Sequence, residues 1–294
     1  MQNFHEMRYF LIILLFLTSI LSYTACNIIN PSEKIPAYLH IDSFDLKGNY
    51  DSVGSLSHSI TDVWVIVDNE FIGAFELPAN IPILKEGIHK ITLKAGIKEN
   101  GISNTRLPYP FYAAYVSDIN LIPNKTDTIN PVIYYIASSY KMPLYEDFED
   151  PVFEFTKSDI STINLESTEQ KGFVFEGNYS MLAKLLKKND LFQIESTELF
   201  QLPRNRAIFM ELNYKTNILL KVGYIAVSSE QTYPHTVLNL NPTTTWKKVY
   251  INFGGEIDFE PPTFFFRLFL GALKSSYADT SVIQFDNIKL LYLE

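Results

Sequence analysis

Short runs in which apolar and polar residues alternate recur along most of this chain, with turn-forming residues between them. In residues 38–44 a leucine and an isoleucine alternate with a histidine and an aspartate. Residues 61–67 and 71–75 are two more such runs, joined by a polar turn at residues 68–70. A period of two is typical of half-buried strands, and Asp-Asn tolerates the positive φ of a tight hairpin turn. Because no convincing amphipathic helix exceeds two turns, the patterns predict an all-β chain.

Composition limits the number of domains and the kinds of partner. The chain has 294 residues, which favours two domains, and 47% of them are hydrophobic, which favours buried cores. Its 24 Lys and Arg residues against 33 Asp and Glu residues give a net charge of -9. That balance argues against nucleic acid as a partner. A single cysteine excludes an internal disulfide framework and a thiolate zinc cluster.

The sequence offers no recognisable catalytic motif. It contains no Gly-x-Ser-x-Gly elbow, no phosphate-binding glycine loop and no His-Glu-x-x-His. Its histidines are scattered, and none stands at metal-ligand spacing from another. We therefore expect a protein that is not an enzyme.

The N-terminal residues resemble a targeting signal. Residues 9–21 are uncharged and apolar but too short to span a bilayer, and Thr24 and Ala25 precede Cys26. This arrangement resembles the lipobox of bacterial lipoproteins. The resemblance implies a removed signal peptide at residues 1–25, a lipidated Cys26 and a tether over residues 26–36. The alternative is an ordinary secretory signal with a chance cysteine.

Two three-residue motifs are consistent with export of the protein from the cytoplasm. Ser52 in residues 51–53 and Thr128 in residues 127–129 resemble the Asp-Ser/Thr-aliphatic acceptor of O-glycosylation in Bacteroidota, although both triplets are equally ordinary turn chemistry. The chain is similar to outer-membrane lipoproteins of that phylum. Because acidic residues do not directly follow Cys26, the cell surface and the periplasmic face both remain open.

Residues 37–137 form the first predicted domain. The run from Val67 to Gly73, followed by residues 86–93, resembles the PEGA-type modules of cell-envelope proteins. The resemblance implies an Ig-like β-sandwich that acts as a spacer or contact module without catalytic residues.

One long loop interrupts this domain at residues 96–115. It is rich in proline and aromatic residues and contains Tyr109, Phe111 and Tyr112. Loops of this length are usually functional or disordered, and the aromatic content argues against disorder. Two hypotheses stay open: a surface that contacts a protein or glycan partner, or rings that fold back on their own core.

Residues 144–294 form the second predicted domain, after a boundary near residues 138–143. Its opening Asp147-Phe148-Glu149, its Gly-x-Tyr-Ser-Met strand at residues 177–181 and its closing strand at residues 285–290 resemble the galactose-binding-like jelly roll of carbohydrate-binding modules. The fold class predicted is therefore an Ig-like β-sandwich followed by a jelly-roll β-sandwich. In that family, acids near the first and last strands often hold a structural calcium ion, which implies Glu149 and Asp286 here; Asp286 as a turn cap or lysine partner is the alternative. No other cofactor is expected.

Two functions from different classes follow. The first is a lipid-anchored, non-catalytic accessory subunit of an outer-membrane complex, such as the protein-assembly or secretion machinery, with a β-barrel or another lipoprotein as its partner. The alternative is a glycan-binding lipoprotein that stacks sugar on aromatic rings of the jelly roll. Its candidate residues are Tyr224, Tyr233 and Trp246 for stacking, with Arg204, Asn205 and Arg206 for hydrogen bonding.

Overall fold

The computed structural model describes residues 7–16, 33–136, 140–276 and 279–294. Residues 7–16 form a helix, α1, whose side chains are exposed. Within these ranges, every helix is too short or too polar to cross a membrane. Cys26, the predicted signal cleavage site and most of the predicted tether lie outside the described residues.

Strands dominate the described residues, and two short helices, α2 (Tyr50–Val53) and α3 (Gly254–Phe259), lie between them. The strands of the first half are β1 (Ala37–Ile41), β2 (Asp45–Lys47), β3 (Asp62–Val67), β4 (Glu70–Glu76), β5 (Ala79–Ile83), β6 (Gly87–Lys98), β7 (Arg106–Pro108), β8 (Tyr115–Leu121), β9 (Thr126–Ile129) and β10 (Val132–Tyr134). Those of the second half are β11 (Tyr140–Glu146), β12 (Phe155–Lys157), β13 (Ser167–Thr168), β14 (Ser180–Leu185), β15 (Leu191–Ser196), β16 (Ile208–Thr216), β17 (Leu220–Val227), β18 (Thr232–Leu240), β19 (Lys247–Asn252), β20 (Phe265–Leu273) and β21 (Ser281–Leu293).

The first half is a β-sandwich. One sheet has the order β5-β1-β9, and the other has the order β4-β3-β6-β7, with β8 also paired to β6. Strands β2 and β10 form a small parallel pair. The predicted polar turn joins β3 to β4, and its residues Asp68 and Asn69 both have positive φ, as the hairpin requires. The relation to Ig-like envelope modules stays a prediction.

The second half is a jelly-roll β-sandwich made of two antiparallel sheets. The six-stranded sheet has the order β13-β14-β21-β16-β19, with β11 also paired to β21. The five-stranded sheet has the order β12-β15-β20-β17-β18. Apolar side chains from both sheets fill the core, because alternate residues of each strand face inward. The predicted all-β fold is confirmed, and β11 already belongs to this domain although it begins at Tyr140 rather than at residue 144.

The two sandwiches share a packed interface on the outer face of the six-stranded sheet. In β16, Met210 and Leu212 point into the jelly-roll core, so Phe209 and Glu211 point outward. Phe209 belongs to the hydrophobic cluster of the first sandwich, as do Tyr250 of β19 and Leu291 of β21. The outer face of this sheet is therefore buried against the first domain instead of facing solvent.

The aromatic loop of the first domain supplies the opposite side of that interface. Tyr109, Phe111 and Tyr112 are only 2%, 0% and 6% exposed. The ring of Tyr109 lies 5.4 Å from that of Phe209 and 4.7 Å from that of Tyr250. The hypothesis that these three residues form an exposed contact surface is wrong. The rings do fold into a core, but that core includes residues of the second sandwich.

Candidate functional site

A buried polar cluster lies at the centre of the domain interface. The carboxylate of Glu211 accepts hydrogen bonds from the hydroxyls of Tyr109 at 2.8 Å and Tyr135 at 3.0 Å. The ammonium of Lys248 lies 2.9 Å from the same carboxylate. Lys289 donates to the backbone carbonyl of Ser55 at 2.6 Å and to Tyr135 at 3.3 Å. Each sandwich thus satisfies buried polar groups of the other, which fixes their relative position.

Burial and charge shift the pKa values of these groups in opposite ways. Burial raises the pKa of Glu211, but Lys248 and Lys289 outweigh it and hold that pKa below the ordinary value. Burial also lowers the pKa of Lys289 to about 8, although Glu211 opposes the shift. Glu211 is therefore ionised at neutral pH, and both Lys248 and Lys289 stabilise its negative charge.

Hydrogen bonds at the edge of the interface hold the loops beside it. Ser57 donates to the side-chain oxygen of Asn213 at 2.7 Å. The backbone N–H of Asn100 donates to the carbonyl of Tyr250 at 2.8 Å, and the Asn100 side chain accepts from the backbone of Asn252 at 2.9 Å. These bonds set residues 57–61 and 98–103 of the first domain opposite β16 and β19 of the second.

A cleft of about 620 Å³ opens between these segments. Its jelly-roll wall consists of residues 239–243 and 246–250, together with Phe175 and with Asn213 and Tyr214 of β16. The rings of Trp246 and Phe175 lie 5.3 Å apart at an angle of 52°, and both are half-buried. The cleft therefore combines an accessible aromatic pair with a wall from each domain.

Polar groups make up most of the rest of the lining. Amide and hydroxyl side chains of both domains face the cleft: Ser57, Ser59, Thr61, Asn100, Ser103, Asn213, Asn239, Asn241 and Thr243. The basic side chains in the lining are those of His58, Lys98, Lys247 and Lys248. Binding sites commonly join apolar rings to a few convergent polar groups in this way.

Sequence reasoning named one aromatic residue of the cleft, Trp246, and one segment that lines it, the predicted loop at residues 96–115. The polar Glu211 and Asn213 alternate with apolar residues in β16, which signals that its outer face is not ordinary core. Of the first-domain residues, Lys98, Asn100 and Ser103 belong to the predicted loop at residues 96–115, which one hypothesis makes a contact surface, whereas Ser57 and Ser59 carry no local signal.

The other residues predicted to bind glycan do not line the cleft. The guanidinium of Arg204 donates to the backbone carbonyl of Asp258 at 2.7 Å, and that of Arg206 donates to the carbonyl of Glu294 at 3.1 Å. Tyr233 donates to the carboxylate of Glu260. Tyr224 is fully buried. The predicted set is thus not brought together, and these side chains bond within the domain.

The predicted calcium residues are both hydrogen-bonded to nearby groups. Glu149 accepts the backbone N–H groups of Asn178 at 2.7 Å and Tyr179 at 2.9 Å. Asp286 accepts the hydroxyl of Ser180 at 2.6 Å. Among the described residues, no group of three or more His, Cys, Asp or Glu side chains is gathered as a metal site would need. Calcium binding by Glu149 and Asp286 stays a prediction.

Glu146, near the same strand end, gives a pH-dependent prediction. Burial raises its pKa to about 7, although its oxygens accept the backbone N–H groups of Phe148 and Glu154. The fold therefore favours the protonated form, and that stabilisation is lost as pH rises from about 4.5 through about 7. Urea unfolding should show that the free energy of unfolding of Glu146→Gln, relative to that of the wild type, increases by roughly 2 kcal/mol from pH 5 to pH 8. The reason is that the wild type loses stability over this range and the variant, which has no carboxyl group at this position, does not. A difference independent of pH would contradict this.

The predicted glycosylation residues are accessible. Ser52 lies in α2 and Thr128 in β9, and both are exposed. Their modification stays a prediction.

A second accessible aromatic ring, that of Phe265, lies on the five-stranded sheet of the jelly roll, whereas the domain interface lies on the six-stranded sheet. Phe265 and Arg267 are two residues apart in β20, so both face away from the core that holds Phe266 and Leu268. Phe265 is 43% exposed, and the buried Nε of Arg267 has no hydrogen-bond partner among the described residues. Phe265 is thus an accessible ring on the jelly roll that does not line the cleft.

Comparison with solved structures finds distant similarities to carbohydrate-binding modules. No protein-family model matches the chain, and no curated protein matches it. A solved structure of a xylan-binding domain of family 22 from Paenibacillus barcinonensis shares 12% identity with a TM-score of 0.41, over 54% of this chain and 98% of that chain. A carbohydrate-binding module of the β-sandwich superfamily shares 11% identity with a TM-score of 0.43, over 90% of this chain and all of that chain. A family 11 module from Clostridium thermocellum shares 17% identity with a TM-score of 0.33, over 52% of this chain and 95% of that chain. Identities and TM-scores this low carry no argument about the fold or the function of this chain.

Proposed function

We propose that this protein is a non-catalytic, glycan-binding lipoprotein that holds a saccharide in the cleft between its two β-sandwiches. The observation that carries the proposal is the half-buried pair of Trp246 and Phe175 beside a wall of amides and hydroxyls. A sugar ring presents C–H groups on its faces and hydroxyls around its edge. Aromatic rings suit the faces, and amide and hydroxyl groups suit the edge.

One argument for the other function, an accessory subunit of an outer-membrane complex, does not hold. That hypothesis drew on the aromatic loop as a surface for a β-barrel or another lipoprotein. Tyr109, Phe111 and Tyr112 are instead buried between the sandwiches and cannot touch a partner without opening the interface. Glycan binding is the better supported of the two functions.

Affinity electrophoresis of the mature protein in gels that contain one polysaccharide each tests the proposal. The panel includes neutral and acidic polymers from plant, algal and animal sources. We expect at least one polymer to retard the protein in a saturable way. Failure with every polymer, together with stoichiometric recovery of a β-barrel protein from solubilised outer membrane, would favour the accessory-subunit function instead.

Attachment to the outer membrane through Cys26 is part of the same proposal. One acyl chain holds a protein only marginally, whereas two or more hold it stably. We expect Cys26→Ala to move most of the protein from the membrane pellet to the soluble or unprocessed fraction, while Ser32→Ala in the tether leaves it in the pellet. Mass spectrometry of the mature N-terminus checks the modification directly. An unmodified N-terminal residue other than Cys26 would rule the anchor out.

A further inference from the structure

The charge of the cleft differs from that of the protein as a whole. The chain carries 33 acidic residues against 24 basic ones. Yet three lysines line the cleft, Lys98, Lys247 and Lys248, and none of the described lining residues is an aspartate or glutamate. In a random sample of this composition, acids would outnumber the lysines and arginines. The cleft is a basic recess on an acidic protein.

Nearby carboxylates neutralise these lysines only in part. Lys248 is 3% exposed in its side chain and lies 2.9 Å from the buried carboxylate of Glu211. Glu211, however, also faces Lys289, so one negative charge serves two buried positive charges. Lys98 lies 4.0 Å from Glu76, whose side chain is mostly exposed, so solvent weakens that pair.

Lys247 adds a charge at the mouth of the cleft. It is exposed, it lines the cleft, and it follows Trp246 directly in the chain. Within the described residues, no carboxylate lies within ion-pair distance of its ammonium. The charge of Lys247 is therefore available to a ligand in the cleft.

We propose that the cleft selects an anionic glycan, whose carboxylate or sulfate groups are bound by Lys98 and Lys247, while the buried Lys248 stays paired with Glu211. This inference rests on the proposed glycan-binding function and narrows its ligand class. A partly enclosed site strengthens a charged contact relative to open water, and an ammonium is the natural partner of either anion. A neutral glycan would leave the lysines with hydroxyl contacts only, which are weaker.

Matched pairs of polysaccharides test the inference. Polygalacturonate, alginate and hyaluronan are each compared with their carboxyl-reduced forms, and chondroitin sulfate is compared with desulfated chondroitin. We expect at least one acidic polymer to bind roughly tenfold or more tightly than its matched partner, with affinity falling as salt rises from 50 to 500 mM. The pair that shows the difference identifies the anion as carboxylate or sulfate.

Charge-removing variants assign the effect to the cleft. Lys247→Met should weaken binding of the acidic polymer by about fivefold and reduce its salt dependence. Lys90→Met, at an exposed position in β6 of the first domain, is the matched control and should change neither. Equal binding of acidic and neutral partners would overturn the inference and leave glycan binding intact. If the unmodified protein binds no polymer in the panel, both the anionic-glycan inference and the proposed glycan-binding function are overturned.

Discussion

Glu211→Ala is expected to destabilise the whole protein by about 3–5 kcal/mol, because it breaks a buried ion pair by removing one partner. The substitution leaves the ammonium groups of Lys248 and Lys289 in the interface without their carboxylate. It also removes the acceptor of the Tyr109 and Tyr135 hydroxyls. Since buried unpaired charges cost more than buried unpaired hydroxyls, most of the loss comes from the lysines. Urea unfolding followed by circular dichroism measures it.

Two variants separate charge from hydrogen bonding. Glu211→Gln keeps an acceptor for the tyrosines but removes the charge, so its loss should be smaller than that of Glu211→Ala. Glu211→Ala combined with Lys248→Met removes a positive charge as well and should recover part of the stability. If Glu211→Ala costs less than about 1 kcal/mol, the two sandwiches are not joined by this cluster as described.

Trp246→Ala is expected to weaken glycan binding by roughly tenfold to a hundredfold without a comparable loss of stability. The side chain is half-buried beside Phe175 and lies at the cleft rather than in the jelly-roll core. Removing it deletes the platform on which a sugar face would stack. Isothermal titration with the tightest-binding polymer from the panel measures the change.

Phe265→Ala is the matched control, because Phe265 is an exposed ring on the other sheet of the same jelly roll. It should leave the affinity unchanged. Loss of binding in Phe265→Ala with full binding in Trp246→Ala would move the site to the five-stranded sheet. Circular dichroism of both variants shows whether either loss reflects unfolding.

Local patterns predict the strands well and their assembly poorly. The hairpin at Asp68 and Asn69 follows from two alternating runs and a turn that accepts positive φ. The jelly roll is implied by the resemblance of three motifs, at residues 147–149, 177–181 and 285–290, to those of carbohydrate-binding modules. The aromatic loop could not be placed, because Tyr109 and Phe111 look the same in sequence whether they meet a partner or a second domain of the chain.

The candidate site could not be predicted from local sequence, because its two walls come together only at the domain interface. Trp246 is a candidate from sequence as a ring on which a sugar could stack. Lys98 and Asn100 lie far from it in the chain, and only the docking of the first sandwich on β16 and β19 brings them opposite it. Conversely, Arg204 and Tyr233 looked suitable by residue type, yet each bonds within its own domain.

The most direct test of the cleft as the binding site is an NMR titration of the two indole N–H groups of the protein. The chain has two tryptophans, and Trp64 lies in β3 of the first domain against Phe71, outside the cleft lining. As the acidic polysaccharide is added to ¹⁵N-labelled protein, the Trp246 indole signal should shift saturably while the Trp64 signal stays in place. A bound ligand that shifts Trp64, or that shifts neither indole, would contradict the account.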